Sequence, residues 1–301
     1  MSDLNGVLLL DKPEDIGSAA ALREIGKHLG RDQRIGHAGT LDPFASGLLP
    51  VLLGEGTKLA PWLTAHDKRY ATTLRLGRST DTLDRTGATI EALDEEPLQA
   101  RIAALDVDFI ARAVASLRGA QQQRPPMYSA KKQDGIRLHR LARGGIVVDR
   151  QAVPIEIHAL EIVALRLPEI DLVAHVSSGT YVRVLCTQLA EILGLPGHVS
   201  SLRRLSVGRF DISGAVPLSA LLDGTRELKP MSCADALAMP RATLDGEATT
   251  ALIQGKPVAL ATAEHARGTE LALVDPAGKL IGIGFVIDGD RVQPKRIIRD
   301  S

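Results

Sequence analysis

Residues 36–50, GHAGTLDPFASGLLP, hold one histidine and a single carboxylate among three glycines and two prolines. The residue before a proline is restricted to extended geometry, so Asp42 is expected on a loop, with no Lys or Arg in the segment to neutralise it. A carboxylate displayed in this way can act as a nucleophile or a base. Alternatively, Asp42 forms an Asp-Pro turn or caps a short helix, and His37 is a hydrogen-bonding partner within the loop.

A second candidate for chemistry is Arg183, in the segment SSGTYVRVL at residues 177–185. If a helix begins near Thr180, the guanidinium lies in its first turn, where the helix macrodipole opposes a cation by up to ~1 kcal/mol. That placement is explained if the guanidinium binds an anion from another segment. Asp42 and an RNA phosphate are the two candidate anions.

The three tyrosines, Tyr70, Tyr128 and Tyr181, all fall in or beside the polar, motif-like segments. Tyr181 lies beside Arg183 and Tyr70 on the apolar face of its strand, and this location favours a role in a functional site. The alternative is packing in the core with a satisfied hydroxyl.

Metal and nucleotide sites are not predicted. The eight histidines are scattered, and Cys186 and Cys233 have no partner at ligand spacing. The segment GEGTK at residues 54–58 lacks the full spacing of a P-loop. The sequence therefore predicts neither a metal nor a cofactor.

The formal net charge of zero conceals an uneven distribution. Residues 112–150 hold nine Lys and Arg against two Asp, and residues 81–110 hold eight acids against two Arg. The basic stretch is a candidate phosphate-binding surface, or else a solvated face paired with the acidic stretch. Two cysteines predict a cytoplasmic protein, and neither a membrane span nor a signal peptide is expected.

The hydrophobic pattern predicts an α+β protein. Strands are expected at 6–10, 70–76, 152–166 and 170–177, helices at 18–28, 57–65, 107–118, 136–143 and 180–193, and a polar loop at 121–135. Ser18 is expected to cap the first helix. Pro230 and Pro240 bracket an expected linker, and the short apolar segments after it are typical of a small β-barrel.

Five blocks resemble, in order, the bacterial TruB-type tRNA pseudouridine synthases. They are GVLLLDKP (6–13), GHAGTLDPFASGLLPVLLGEGTKL (36–59), KRYATTLRLGRSTDTLDRTG (68–87), RPPMYSAKKQDGIRLHRLARGG (124–145) and VSSGTYVRVLCTQLAEILGLPGHVSSLRRLSVGRF (176–210). The resemblance implies a catalytic domain at 1–235 with a central mixed, mainly antiparallel sheet flanked by helices. It also implies a small C-terminal β-barrel of the PUA-like, RNA-binding type at 240–301.

Site residues carry over by position. The resemblance implies that Asp42 is the catalytic aspartate and Arg183 its partner. Substrate contacts are expected from His37, which helps open the T loop, and from Tyr70, Tyr181 and Leu202 around the target base. RNA binding or support of the site is expected from Lys12, Lys58, Lys131, Lys132, Arg203 and Arg204. The chain departs from the family pattern at EDIGS (14–18), at His139 and at CTQLA (186–190).

The implied function is isomerisation of uridine 55 in the T arm of tRNA to pseudouridine, without metal or cofactor. The expected partner is the tRNA T stem-loop, with no membrane and no obligate protein partner, and the expected state is a monomer. One alternative is a non-catalytic tRNA-folding factor on the same scaffold. Another is a small-molecule hydrolase using His37 and Asp42, although the chain lacks a metal set or a nucleophile–base pair for it.

Overall fold

The computed structural model describes residues 4–29, 33–129, 131–133, 135–260 and 265–298, with main chain only at 132, 133, 137, 139 and 143. Its strands are β1 (Gly6–Lys12), β2 (Ile35–His37), β3 (Ser46–Leu53), β4 (Lys68–Leu76), β5 (Arg78–Thr80), β6 (Thr89–Ala92), β7 (Gly119–Gln123), β8 (Lys132–Gln133), β9 (Ile136–Arg137), β10 (Val153–Arg166), β11 (Glu169–Val176), β12 (Gly197–Val207), β13 (Phe210–Asp211), β14 (Val216–Pro217), β15 (Arg241–Thr243), β16 (Val258–Ala259), β17 (Glu270–Val274), β18 (Leu280–Asp288) and β19 (Arg291–Ile297).

The helices are α1 (Ser18–Leu29), α2 (Ala60–Thr64), α3 (Glu95–Ala103), α4 (Val107–Ser116), α5 (Leu138–Arg143), α6 (Val182–Ile192), α7 (Leu218–Leu222), α8 (Cys233–Ala236) and α9 (Gly246–Ile253). Two 3₁₀ turns lie at Gly54–Leu59 and Ile212–Gly214. No helix in the described ranges is long and apolar enough to cross a membrane.

A single large sheet organises the first three quarters of the chain. Its strand order is β14-β1-β3-β12-β4-β11-β10-β7, with β2 paired to β3 and β13 to β12. The β1–β14 and β3–β12 pairs are parallel and the other pairs are antiparallel, so the predicted mixed, mainly antiparallel sheet is confirmed.

The burial of the central strands follows from their sequence patterns. In β4, Tyr70, Thr72, Leu74 and Leu76 are buried on one face, as period-2 alternation predicts. Strand β3 is buried along its whole length, which matches the unbroken apolar run LLPVLL. Helix α6 packs on β4 and β12 through Leu185, Leu189 and their neighbours, so its first turn is fixed against the sheet.

Three expectations about local structure are wrong, and two elements were missed. Residues 121–123, predicted as the start of a loop, belong to edge strand β7, because β10 supplies hydrogen-bond partners that the polar sequence does not reveal. The long strand β12, between α6 and β13, and the helix α3 were not predicted. The Ser18 hydroxyl does not cap α1, since it exchanges hydrogen bonds with Leu41 N and O. The expected linker instead contains α8, and Cys233 within it is fully buried.

The C-terminal segment forms a five-stranded sheet of order β15-β17-β18-β19-β16, which fits the predicted PUA-like domain. It packs against the large sheet through apolar side chains. Ala272, Val274 and Ile283 share an apolar cluster with Leu48 and Leu52 of β3. The predicted boundary between residues 235 and 240 stays a prediction.

Polar contacts add to this interface. Trp62 Nε1 donates to Glu270 Oε2 at 2.6 Å, and Lys295, which also pairs with Glu270, lies 5.5 Å from the Trp62 ring centroid. Lys58 Nζ donates to the carbonyl of Ile297 at 3.1 Å. These contacts connect the short helix α2 and the turn before it to the C-terminal sheet.

Candidate active site

The loop between β2 and β3 carries Asp42. Buried groups from a distant segment hold this loop in place. Arg204, which is 1% exposed, donates to the carbonyls of Leu48 at 2.7 Å and Gly39 at 3.0 Å. Gly47 has φ +103°, and a Cβ there would lie 2.3 Å from the Arg204 carbonyl, so only glycine fits. The backbone on both sides of Asp42 is therefore fixed before any substrate arrives.

Lys12 supports the same loop from the end of β1. Its Nζ donates to the carbonyls of Pro13 at 2.8 Å, Ile16 at 2.7 Å and Pro43 at 3.4 Å. Burial lowers the pKa of Lys12 to about 8, although the nearby charge of Asp42 raises it. Lys12 thus places a positive charge close to the Asp42 carboxylate.

Asp42 and Arg183 form an ion pair. Arg183 Nε lies 2.8 Å from Asp42 Oδ2, with the Arg183 side chain 3% exposed and the Asp42 side chain 33% exposed. The Asp42 carboxylate is therefore partly open to solvent, whereas its cationic partner, Arg183, is buried. The predicted first-turn position of Arg183 is also seen, since Val182 begins α6 and Tyr181 is its N-cap.

The remaining guanidinium nitrogens of Arg183 bind a second wall of the site. Nη1 donates to the Thr82 carbonyl at 2.5 Å and lies 3.5 Å from Asp84 Oδ2, and Nη2 donates to the Tyr128 carbonyl at 2.9 Å. Asp84 is fixed in turn by Thr82 Oγ1 at 2.8 Å and by the Thr86 amide at 2.9 Å. The result is a chain of contacts from Asp84 through Arg183 to Asp42.

The electrostatic balance at Asp42 has opposing contributions. Burial raises the pKa of Asp42 above its ordinary value of 3.8, the charge of Arg183 lowers it, and the like charge of Asp84 raises it. The Arg183 hydrogen bond and the Lys12 charge also lower it. Burial prevails, so the carboxylate is held more basic than a free aspartate while its partners keep the ionised form accessible.

Tyr181 stands beside this pair, and its backbone is held by a residue that sequence reasoning missed. Gln123, 1% exposed at the end of β7, accepts from the Tyr181 amide at 2.7 Å and donates to the Tyr181 carbonyl at 3.2 Å. Burial raises the pKa of the Tyr181 phenol, partly offset by a hydrogen bond to Ser129, and the Asp42 charge raises it further.

An apolar wall completes the site. Tyr70 and Leu202 are 8% and 5% exposed, and they belong to the same apolar cluster as Leu41 and Phe44 on either side of Asp42. In the sheet, Leu202 pairs with Thr72 and Arg204 with Tyr70. Strands β4 and β12 thus bring these predicted contacts to the neighbourhood of the Asp42 loop.

The other predicted residues are distributed differently. His37 ends β2, where it pairs with Val51. Arg203 forms an ion pair with Asp11 at 2.7 Å and is 40% exposed. Lys58 pairs with Glu55 at 2.5 Å and reaches the C-terminal sheet instead of Asp42. Lys131 is exposed, and the side chain of Lys132 lies outside the described residues.

Three residues of the site were missed: Ser18, Asp84 and Gln123. Asp84 was hidden among the eight acids of residues 81–110, and Gln123 lay in a stretch predicted to be loop. Ser18 was assigned to a helix cap. No local pattern distinguished Asp84, because its neighbours Asp81, Thr82 and Arg85 are also polar.

Within the described ranges, one group of metal-type ligands occurs, away from this site. Atoms of Asp67, His158 and His175 lie within 4.8 Å of one another. The prediction of no metal site depended on spacing along the chain. His158 is on β10, His175 is on β11 and Asp67 immediately precedes β4, so the pairing of these strands brings the three residues together.

Family models match almost the whole chain. Residues 27–182 match the TruB family pseudouridylate synthase N-terminal domain. Residues 183–238 match the tRNA pseudouridylate synthase B C-terminal domain, and residues 240–298 match the pseudouridine synthase II TruB C-terminal model.

Two curated relatives are similar over nearly their full length. Both are named tRNA pseudouridine synthase B. That of Aromatoleum aromaticum is 40% identical over 299 residues, covering 98% of this chain and 93% of the relative. That of Haemophilus influenzae is 36% identical over 308 residues, covering 99% and 97%.

Among solved structures, an H/ACA RNP bound to a substrate RNA containing 2′-deoxyuridine matches with a TM-score of 0.71. The identity is 21%, with 98% of this chain and 85% of that chain covered. A Cbf5–Nop10–Gar1 complex matches with a TM-score of 0.70 at 23% identity, covering 97% and 84%. These two likenesses show the shared fold.

Sheet topology and family models agree on the class: this chain is a pseudouridine synthase, an RNA-modifying isomerase. Within that class it belongs to the TruB family, since the family models match more than half of its length and curated relatives exceed 30% identity. The predicted family, fold class and enzyme class, a tRNA pseudouridine synthase, are thereby confirmed.

Proposed function

We propose that this protein isomerises uridine 55 in the T arm of tRNA, with Asp42 as the catalytic carboxylate and no cofactor. The supporting observation is the 2.8 Å ion pair between Arg183 Nε and Asp42 Oδ2, which presents a partly exposed carboxylate beside an apolar wall. The name shared by the relatives, tRNA pseudouridine synthase B, supports tRNA as the substrate.

The first chemical step breaks the bond between N1 and C1′, and the electron pair leaves with the uracil. Ionised Asp42 can promote this step by adding to C1′, by adding to C6, or by taking the C2′ proton to give a glycal. In each case the carboxylate must be ionised. Arg183 and Lys12 favour that form against the effect of burial.

The second step turns the base and joins C5 to C1′. As this bond forms or afterwards, the Asp42 carboxylate leaves C1′ or C6, or the glycal regains its proton at C2′, and C5 then loses its proton. The uridine must leave the RNA stack to react, which costs a few kcal/mol that stacking and apolar contact partly offset. Tyr70, Tyr181 and Leu202 supply those contacts in this proposal. We also assign to Tyr70 assistance in removal of the C5 proton.

We further propose that the protein acts in the cytoplasm as a monomer and recognises the T stem-loop. The basic residues Lys131 and Arg203 are exposed or half-exposed and are available to RNA phosphates. His37, at the start of the Asp42 loop, is assigned the opening of the T loop.

A tritium-release assay on tRNA transcripts labelled at C5 of uridine tests the proposal. Asp42→Asn is expected to release no tritium while filter binding of the tRNA persists. The control Asp108→Asn, on the exposed side of α4, is expected to behave as wild type. A transcript with cytidine at position 55 should release no label above background. Full release by Asp42→Asn, or equal release from that transcript, would contradict the assignment.

The alternative, a non-catalytic tRNA-folding factor, predicts a different result. Asp42→Asn would promote refolding of unmodified tRNA as well as wild type does, and wild type would form no pseudouridine. Native-gel refolding and tritium release, measured on the same preparations, separate the two functions.

A further inference from the structure

The face of the sheet opposite Tyr70 carries two histidines and an aspartate in one group. His175 on β11 pairs in register with Arg69 of β4, one position away from Tyr70, so its side chain is directed to the other face. The His158 and His175 rings lie 4.8 Å apart between centroids. Asp67, immediately before β4, lies with its Oδ2 3.1 Å from His158 Nε2.

His158 owes its position to an irregularity in the sheet. The register between β10 and β11 shifts between Ile157 and Ala159, so His158 is the extra residue of a bulge. Bulges re-aim a side chain, and this one directs an imidazole of β10 toward the ends of β4 and β11.

The second nitrogen of His158 also faces a carboxylate. Its Nδ1 lies 3.7 Å from Glu156 Oε1, while Nε2 faces Asp67. A metal-binding histidine commonly has its other ring nitrogen oriented by a carboxylate, which fixes the tautomer and makes the ligating nitrogen more basic. Glu156 is in the right place for that role if His158 binds a metal through Nε2.

We propose that Asp67, His158 and His175 form a binding site for one divalent transition-metal ion of the zinc class, with water completing the coordination. Two imidazoles and one carboxylate form a common zinc ligand set. The three ligand atoms, within 4.8 Å of one another, need only small side-chain rotations to reach a common ion.

The surroundings set the expected strength of binding. Asp67 and His158 are exposed and His175 is half-buried, so the ion reaches the site without unfolding. Arg69 lies opposite His175 in register on the same exposed face, and its charge opposes that of the ion. Both thiols, Cys186 and Cys233, are buried and do not compete as ligands. Binding in the micromolar range is expected.

Such an ion joins β10, β11 and the residue immediately before β4, at one end of the sheet. It binds the folded chain and not the unfolded one, so it stabilises the fold according to its concentration and affinity. Because the site is on the opposite face from Tyr70, it is distinct from the Asp42 chemistry.

Calorimetric titration of ZnCl₂ into chelator-treated, untagged, full-length protein tests the site. Wild type and the control His28→Asn, an exposed histidine at the end of α1, are expected to bind one equivalent. His158→Asn, His175→Asn and Asp67→Asn are each expected to bind at least about tenfold more weakly. Glu156→Gln is expected to weaken binding by about tenfold at most.

Two further measurements distinguish the loss of a metal ligand from the misfolding of a variant. Zinc should raise the Tm of wild type and His28→Asn but not that of His158→Asn, whose Tm without zinc should equal that of wild type. Co²⁺ should give the visible absorption of a bound, distorted ion in wild type. The same absorption should be missing from each variant that lacks one of the three ligands. Equal zinc affinity in wild type and all three ligand variants, or binding that does not saturate at one equivalent, would overturn the proposal.

Discussion

Arg183 Nε and Asp42 Oδ2 are 2.8 Å apart, and the two residues come from opposite walls of the site. Asp42 is on the loop between β2 and β3, and Arg183 is in the first turn of α6. The contact therefore exists only when the loop and the helix are both docked on the central sheet. This makes the ionisation of Asp42 dependent on the packing of α6.

Removal of the Arg183 charge should raise the pKa of Asp42, because the guanidinium lowers it by charge and by hydrogen bonding. We expect Arg183→Gln to reduce kcat at pH 7 by about 100-fold, equivalent to ~3 kcal/mol. The acid limb of its pH–rate profile should move to higher pH than in wild type. Single-turnover rates between pH 5 and 9 measure both effects. The exposed Arg23→Gln on α1 is the control and should keep the wild-type profile.

Asp84 acts on Asp42 with the opposite sign. Its like charge raises the pKa of Asp42, and its carboxylate also helps hold Arg183 in place. Asp84→Asn should therefore lower kcat, through a less fixed Arg183, while moving the acid limb to lower pH. The same profile as for Arg183→Gln would refute this division of roles. Asp94→Asn, outside the Arg183 contacts, is the comparison variant.

Gln123 fixes the backbone of Tyr181 through both of its amide atoms. Gln123→Leu leaves those backbone groups without partners, which costs about 1–3 kcal/mol of folding free energy. We expect a lower Tm and about a tenfold loss in kcat/KM, as Tyr181 is displaced. Thermal unfolding and multiple-turnover kinetics measure these losses. Gln122→Leu, exposed on the same strand, should change neither.

Asp42 should cost the protein stability at neutral pH. Its folded-state pKa is raised above the ordinary value of 3.8, so folding favours the protonated form. The stability that protonated Asp42 contributes to the fold is fully present below pH 3.8, and it is lost as the pH rises through the folded-state pKa. We expect Asp42→Asn to have a higher Tm than wild type at pH 7.5 and an equal one near pH 3.8. A lower Tm for the variant at pH 7.5 would show that the ion pair prevails over burial.

Lys12 has the reverse dependence on pH. Burial lowers its pKa from 10.5 to about 8, so its contribution to stability is lost as the pH falls through 8 and recovers by 10.5. Between pH 8 and 10 the stability of wild type should rise relative to that of Lys12→Met. Denaturant unfolding at several pH values measures this difference. Lys27→Met, an exposed lysine of α1, should follow wild type throughout.

The sequence predicted the parts of the site that depend on local pattern. Period-2 alternation gave the buried face of β4 with Tyr70, and helical spacing gave the first-turn position of Arg183. The sequence left two anions open as partners of Arg183, Asp42 and an RNA phosphate. The structure shows the contact with Asp42. The family resemblance added the assignment of roles to these residues.

The rest of the site depends on contacts between distant segments, which local patterns do not contain. Gln123 lies in a polar stretch that becomes a strand only because β10 pairs with it. Ser18 has the residue type of a helix cap, but Leu41 offers its hydroxyl both a donor and an acceptor. In the separate histidine group, His158 and His175 lie on the consecutive strands β10 and β11, and the bulge that directs His158 is not visible in the sequence.

The interface of Trp62, Glu270 and Lys295 fixes the C-terminal sheet against the catalytic part through apolar packing and hydrogen bonds. The separation between that sheet and Asp42 is then a constant of the molecule. If Asp42 is catalytic and the C-terminal sheet binds RNA, as proposed, an RNA that contacts both surfaces presents to Asp42 only the nucleotide at that fixed distance. Uridines of identical chemistry would then be distinguished by their distance from the part of the RNA that the C-terminal sheet binds.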